Sequence, residues 1–254
     1  MTEKQPISAV IITYNENGYI QQCIESLAFA DEIIVVDSFS EDGTWEWISE
    51  QENITAVQHA FRNYTEQKSY ALSLASHEWV YFLDADEQVP PALAMEICET
   101  TTLKDPFPAY WNYRTFMFKN QRLRFSGWQT DKVHRLFRKS ECSFLQDRIV
   151  HETLSFEGDA GFLKEKLIHY SFKDYHDYKG KMLKYGRLRA IESYREGKKW
   201  YLFNQWFRPF WRFFYNFIFR LGFLDGRNGA IICYLNALGV YERYRELKRL
   251  RATS

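Results

Sequence analysis

Trp79-Val80-Tyr81-Phe82-Leu83-Asp84-Ala85-Asp86-Glu87 is an apolar, aromatic-rich run of strand length that stops abruptly at three acids. In a buried strand, residues two apart project to the same side, so Asp84 and Asp86 share one side of its carboxyl end. Ligands of open α/β sheets bind beyond that end. Paired carboxylates there suit a hard divalent cation, which in turn would neutralise a diphosphate. A solvated acidic turn closing an ordinary strand would show the same residues. The run alone leaves both readings open.

Upstream, Ile7–Thr13, Glu32–Asp37 and Thr55–His59 read as strands, and Tyr19–Leu27, Thr44–Glu50 and Thr65–Ala75 as helices. Alternation of this kind predicts an α/β fold with a Rossmann-like, mostly parallel sheet and helices on both faces. The continuous apolar character of Ala9–Ile12 and Ile33–Val36 fits strands buried on both sides. Each strand end then carries polar groups. The first runs into Thr13-Tyr14-Asn15-Glu16, and the second into Asp37-Ser38-Phe39-Ser40-Glu41-Asp42-Gly43-Thr44. A lone acid after a second strand can accept bonds from a ribose or a base edge. The same loop also reads as turn and cap chemistry, with Asp42 or Thr44 capping a helix. In Arg62-Asn63-Tyr64-Thr65-Glu66-Gln67-Lys68, Asn63 or Thr65 caps the next helix. Lys68 would lie a turn in, either approaching a phosphate or simply solvated.

Downstream, Pro90–Leu103 reads as helix, and Asp105-Pro106-Phe107-Pro108 breaks the chain. Hairpins follow: Tyr110–Phe118 with Arg122–Phe125, then Lys132–Arg138 with Cys142–Leu145. The helical pattern returns after Asp174. This divides the chain into an α/β half (1–105), a hairpin-rich half of the same domain (106–172) and a helical extension (173–254). Glu152, in Val150-His151-Glu152, has the chemistry to deprotonate an acceptor hydroxyl. His169, in Leu167-Ile168-His169-Tyr170, could join carboxylates on manganese, or be a satisfied core histidine.

The 254 residues suffice for one large domain or one with an appendage, and the formal charge balances at zero. The balance hides an asymmetry: from Lys198 onward the chain carries a net +8. Trp200–Arg220 is crowded with aromatic rings, and Asn204, Arg208, Arg212, Asn216 and Arg220 recur every fourth residue as a slowly drifting stripe. That pattern suits a helix lying in a membrane interface, or one packed on its own domain with arginine toward water. Pro209 fits best in a first helical turn, which places the regular helix start just before it. Asp225-Gly226-Arg227-Asn228-Gly229 then leads into a last basic helix, Ala230–Leu250. Nucleic acid is disfavoured as its partner, since aromatic density on one helix fits lipid better. The four scattered cysteines argue for buried thiols in a reducing compartment. With no signal-peptide pattern and no run of about 18 uncharged apolar residues, a cytoplasmic location is expected.

Ser8-Ala9-Val10-Ile11-Ile12-Thr13-Tyr14-Asn15-Glu16, the Asp37–Thr44 loop and Phe82-Leu83-Asp84-Ala85-Asp86 together resemble the family 2 glycosyltransferases. Val133-His134-Arg135-Leu136-Phe137-Arg138-Lys139, Val150-His151-Glu152, His169-Tyr170-Ser171 and Gly222-Phe223-Leu224-Asp225-Gly226 are similar to a bacterial branch that includes lipopolysaccharide-core β-glucosyltransferases. The resemblance implies the GT-A fold and a nucleotide-sugar donor. Thr13, Tyr14, Glu16 and Asp37 would hold the nucleotide, Asp84 the ribose, and Asp86 a Mn²⁺ or Mg²⁺ ion bridging the diphosphate. Glu152 would be the catalytic base, although the family's Glu-Asp pair reads His151-Glu152 here. His169 matches the fold's late metal-binding histidine. The implied reaction is inverting transfer of a hexose, glucose in that branch, from a UDP-sugar to a hydroxyl of a membrane-borne glycan. The protein would sit peripherally on the inner face of the cytoplasmic membrane. Two rivals share these residues: transfer to a polyprenyl phosphate, and a non-catalytic scaffold that only binds nucleotide sugar.

Overall fold

Four apolar runs become parallel strands: β1 (Ile7–Thr13), β2 (Glu32–Asp37), β3 (Thr55–Gln58) and β4 (Trp79–Asp84). These are features of a computed structural model that describes residues 4–119, 121–144, 154–172 and 174–252. Their register brings the carboxyl ends to one edge. Thr13 lies opposite Asp37, Asp37 opposite Gln58, and Ile12 opposite Asp84. The crossovers are α1 (Ile20–Glu25), α2 (Thr44–Ser49) and α3 (Tyr64–Leu74), followed by α4 (Pro91–Thr100). Alternation of side chains along the strands builds two cores. Ile11, Tyr81 and Leu83 pack against Ile20 of α1, Leu27 just beyond it, Ile48 of α2 and Ile97 of α4. On the other face Val10, Val36 and Phe82 pack against Ala71 and Leu72 of α3.

The remaining strands are β5 (Glu87–Gln88), β6 (Ala109–Phe118), β7 (Gln121–Leu123), β8 (Lys132–Arg138), β9 (Ser143–Phe144), β10 (Leu154–Ser155), β11 (Gly161–Phe162) and β12 (Leu167–Phe172). The main sheet runs β3-β2-β1-β4-β8-β6-β12-β5, with β7 and β11 also on β6 and a separate β9–β10 pair. It is mixed: β8 runs antiparallel to both β4 and β6, and β5 antiparallel to β12. This is the α/β class expected from the sequence, with a helical C-terminal extension.

The described chain divides into two compact units, one of residues 4–114 and 131–169, the other of 115–130 and 170–252. The second unit is built on α5 (Tyr175–Arg195), α6 (Leu202–Phe214) and α7 (Gly226–Ala252). Asp174 caps α5, accepting from the Asp177 N–H at 2.9 Å. A Cβ on Gly186 of α5 would fall 2.5 Å from the Gly239 carbonyl oxygen of α7, so these helices approach backbone to backbone. Glu242, buried on α7, is held there by Arg187 at 2.9 Å and Arg245 at 2.8 Å. Asp225 is buried as well. It accepts from the Arg124 and Phe125 amides and the Ser126 hydroxyl, each at 2.9 Å. Phe116, Phe118 and Leu123 complete this core with Tyr178, Ile232 and Leu235.

The expected helix start before Pro209 is wrong. Helix α6 begins at Leu202, and Pro209 lies in its interior. An interior proline costs about 3 kcal/mol through its missing N–H and a ring clash. Contacts with α7 offset that cost locally: the Trp206 and Tyr241 rings lie 5.3 Å apart, and the Arg208 guanidinium sits 5.9 Å over Tyr244. Among the described residues, no helix is long and apolar enough to cross a membrane.

Candidate active site

The loops leaving β1 and β2 are cross-linked by side chains. The Asn15 amide donates to Ser40 Oγ at 2.8 Å, and the Ser40 hydroxyl donates onward to Asp37. The Asn15 side-chain oxygen accepts from the Glu41 amide at 2.8 Å, and Thr44 Oγ1 from the Glu16 amide at 3.1 Å. These bonds hold two residues with left-handed backbone, Asn15 at φ 56° and Phe39 at φ 61°. Asparagine tolerates that region, whereas a phenylalanine pays about 1–2 kcal/mol. The geometry turns Tyr14 and Phe39 outward, both more than half exposed, at the edge where the strands end. Beneath them Thr13 Oγ1 is buried without a hydrogen-bond partner among the described residues. Such an orphan at a strand's carboxyl end suits a ligand contact. Asp37 is fully buried, its carboxylate also accepting from the Ser40 amide at 2.9 Å and the Gln58 amide group at 3.3 Å.

Helix α3 closes the next side. Asn63 caps it, accepting from the Glu66 amide at 2.9 Å. Gln67 then ties the helix to the sheet edge through Ser38 Oγ at 3.0 Å and His59 Nδ1 at 2.8 Å. One residue on, the Lys68 ammonium lies 5.8 Å over the Phe82 ring, and its charge acts on Asp84.

The acid run is organised by arginines. Arg135 of β8 donates one Nη2 both to Asp84 Oδ2 and to Glu87 Oε1, the latter at 2.7 Å. Arg114 of β6 reaches the same Glu87 oxygen at 3.2 Å and grips Asp131 with two bonds of 2.8 and 3.0 Å. Glu87 is fully buried. Burial alone would raise the Asp84 carboxyl; Arg135, Lys68 and Arg114 override it and hold the group well below the ordinary carboxylate range. The same two acids overcome burial at Arg135 and push its guanidinium up, so it stays charged.

Strand pairing places the last member. His169 of β12 lies opposite Glu87 of β5, and its Nε2 comes within 3.4 Å of Asp86 Oδ1. Thus Asp86 and His169 meet just past Asp84, at the sheet edge where the Thr13 and Asp37 strands end. An aspartate oxygen and an imidazole nitrogen, both partly open to solvent, make a donor pair that fits Mn²⁺ or Mg²⁺. No group of three such ligands occurs among the described residues, so diphosphate oxygens and water would fill the remaining positions. The nearby Cys23 thiol is buried, its Sγ 3.8 Å from the Asp84 carbonyl oxygen. Burial, reinforced by Glu87, Asp86 and Asp84, pushes it well above its ordinary value and keeps it protonated. Glu152 lies outside the described residues.

Arg135, Arg114 and Glu87 are the site residues that the sequence reading did not assign. Their signal was present: an arginine inside the strand Lys132–Arg138, followed by Leu136-Phe137, must find acids if it is buried. On the same strand His134 packs on Trp111, ring centroids 3.5 Å apart, with its Nε2 buried and without a hydrogen-bond partner among the described residues. Burial, helped by Lys132, lowers its pKa to about 4. The unfolded chain takes up this proton below about 6.5, the folded chain only below about 4. Stability should therefore rise with pH across that window, and His134→Phe should flatten the rise in urea midpoints taken from acid to neutral pH. An unchanged slope would show that another group sets it.

Residues 8–149 match the model of Glycosyl transferase family 2. The chain is 30% identical to the lipopolysaccharide core biosynthesis glycosyltransferase LpsC of Rhizobium meliloti, across 96% of this chain and 95% of that protein. It is 31% identical to an uncharacterized glycosyltransferase of Rickettsia conorii, across 100% of this chain and 92% of that protein. Among solved structures, Staphylococcus aureus TarS 1-349 in complex with UDP-GlcNAc aligns over 98% of this chain and 92% of that one, with 15% identity and a TM-score of 0.45. On the strength of the family match and the full-length likeness to LpsC, the chain belongs to glycosyltransferase family 2.

Proposed function

We propose that this glycosyltransferase moves a hexose, glucose by its resemblance, from a UDP-sugar to a hydroxyl of a membrane-borne glycan, with inversion at the anomeric carbon. The meeting of Asp86 and His169 just past Asp84, at the carboxyl end of β4, carries the reading. A donor diphosphate there would meet the cation ligands, while Thr13 Oγ1 and the exposed Tyr14 ring face its nucleoside end and Lys68 its charge. Asp37 and the Glu16 amide hold the loops at this sheet edge, and Asp84 is offered to the ribose. Asp86 and His169 would hold Mn²⁺ or Mg²⁺, and the bound cation offsets the charge that builds on departing UDP. The likeness to LpsC, a lipopolysaccharide core biosynthesis glycosyltransferase by name, supports an acceptor in the lipopolysaccharide core; the inner core, and action at the inner face of the cytoplasmic membrane, are part of the same proposal.

Glu152 takes the acceptor proton as the hydroxyl attacks opposite the leaving diphosphate. An inverting displacement requires one base and no enzymic nucleophile. Glu152→Gln is therefore expected to bind UDP-sugar normally and to lose about 10²–10⁴-fold in turnover. Near-normal turnover would remove Glu152 as the base and favour a phosphate acceptor, which is already ionised. If neither transfer nor donor hydrolysis occurs with any UDP-sugar, the scaffold reading stands instead.

A further inference from the structure

Helix α6 is apolar on the side where a packed helix is polar. Phe203, Trp206, Phe207, Phe210, Trp211 and Phe214 are each 37–68% exposed, whereas Gln205 and, beyond the helix, Asn216 are buried. The exposed rings touch one another. Phe203 and Phe207 stack at 4.8 Å, Phe207 and Trp211 at 6.4 Å, and Phe210 and Phe214 at 6.2 Å. Phe214 continues to Phe219, 5.8 Å away and 60% exposed. Seven half-exposed rings present on the order of 700 Å² of contiguous aromatic surface. That exceeds the largest apolar patch of a typical monomer, about 300–600 Å².

The charges around the patch identify what covers it. No acidic residue occurs from Trp200 to Leu224. Exposed Lys199, Arg208, Arg212 and Arg227 lie before, among and after the rings along the chain, the two arginines of α6 on the side toward α7, and no ion pair among the described residues involves any of the four. A second copy of the chain would bring its own arginines to the same face, with no carboxylate to receive them. An anionic bilayer supplies both missing partners: an acyl boundary for the rings and phosphates for the cations. We infer that the aromatic face of α6 docks the protein on anionic lipid bilayers, lying in the interface rather than crossing it.

Deleting α6 is a poor test, because cutting the chain there also removes Asp225, which holds the Arg124–Ser126 turn. Point variants on the exposed face avoid this. The full chain is sedimented with vesicles of phosphatidylcholine alone and of phosphatidylcholine mixed with phosphatidylglycerol. Wild type should partition onto the mixed vesicles, and Phe203→Ser with Phe210→Ser should lose at least about tenfold. Lys199→Gln with Arg212→Gln should lose about thirtyfold on mixed vesicles and little on phosphatidylcholine. UDP binding and circular dichroism, unchanged in both variants, separate this surface from the donor site. Wild type that stays in solution with mixed vesicles would overturn the inference. So would ring variants that bind vesicles normally but convert a dimer into a monomer by sedimentation velocity.

Discussion

Asp86→Ala is expected to abolish divalent-cation-dependent transfer, with a loss of at least about 10³-fold, since in the proposed reaction the cation would supply several kcal/mol of charge stabilisation. Asp86 is one of two side chains that approach each other as cation donors, 3.4 Å from His169. Its removal leaves an imidazole and substrate oxygens, too weak a set for a hard ion. Mn²⁺ affinity in the presence of UDP, read from the electron paramagnetic resonance of free Mn²⁺, should fall in parallel. His169→Ala should lose less, about 10–100-fold, because one neutral nitrogen is easier to replace by water. Full transfer by Asp86→Ala, or unchanged Mn²⁺ affinity, would remove the metal role.

Arg135→Ala is expected to destabilise the fold by about 3–5 kcal/mol, the usual cost of stranding buried acids. Its guanidinium bridges Asp84 and fully buried Glu87, and no other described cation replaces it at Asp84 within bonding distance. The urea midpoint at neutral pH reads the loss. The pH dependence fixes the cause. In the wild type the Asp84 carboxyl is depressed, so its stabilisation is complete above the unfolded value of about 3.9 and is lost as pH falls below it. Without Arg135, burial would raise the same carboxyl, and protonation would relieve the stranded charge. The gap between wild type and variant should thus narrow on acidification. A constant gap would mean that lost packing, not charge, is responsible.

The strands were legible where one physical cause dominates. β1, β2 and β8 begin and end where the sequence reading puts them, because each apolar run stops at residues that need water or a ligand. The two-residue strands β5, β10 and β11 carry no period to detect, yet β5 is what sets Glu87 opposite His169. Pro209 was misplaced because local propensity cannot weigh the support that α7 gives. At the site, the acids and their strand ends were visible in the sequence. The Arg135–Glu87 pairing was not, since it spans 48 residues and depends on a β8 register that only the folded sheet defines. Likewise the Asn15–Ser40–Asp37 relay joins two loops whose sequences each read as ordinary turns.

The buried Asp225 also sets a timetable. The amides it receives belong to Arg124 and Phe125, about a hundred positions earlier in the chain. At a synthesis rate of roughly 5–20 residues per second, that turn leaves the ribosome several seconds before its acceptor exists. Phe116, Phe118 and Leu123 wait equally long for Ile232 and Leu235. During that interval the nascent chain shows a hydrophobic hairpin with no cover. A stop or frameshift just short of residue 225 would therefore leave a polypeptide with an unfinished core, a substrate for chaperones and proteases.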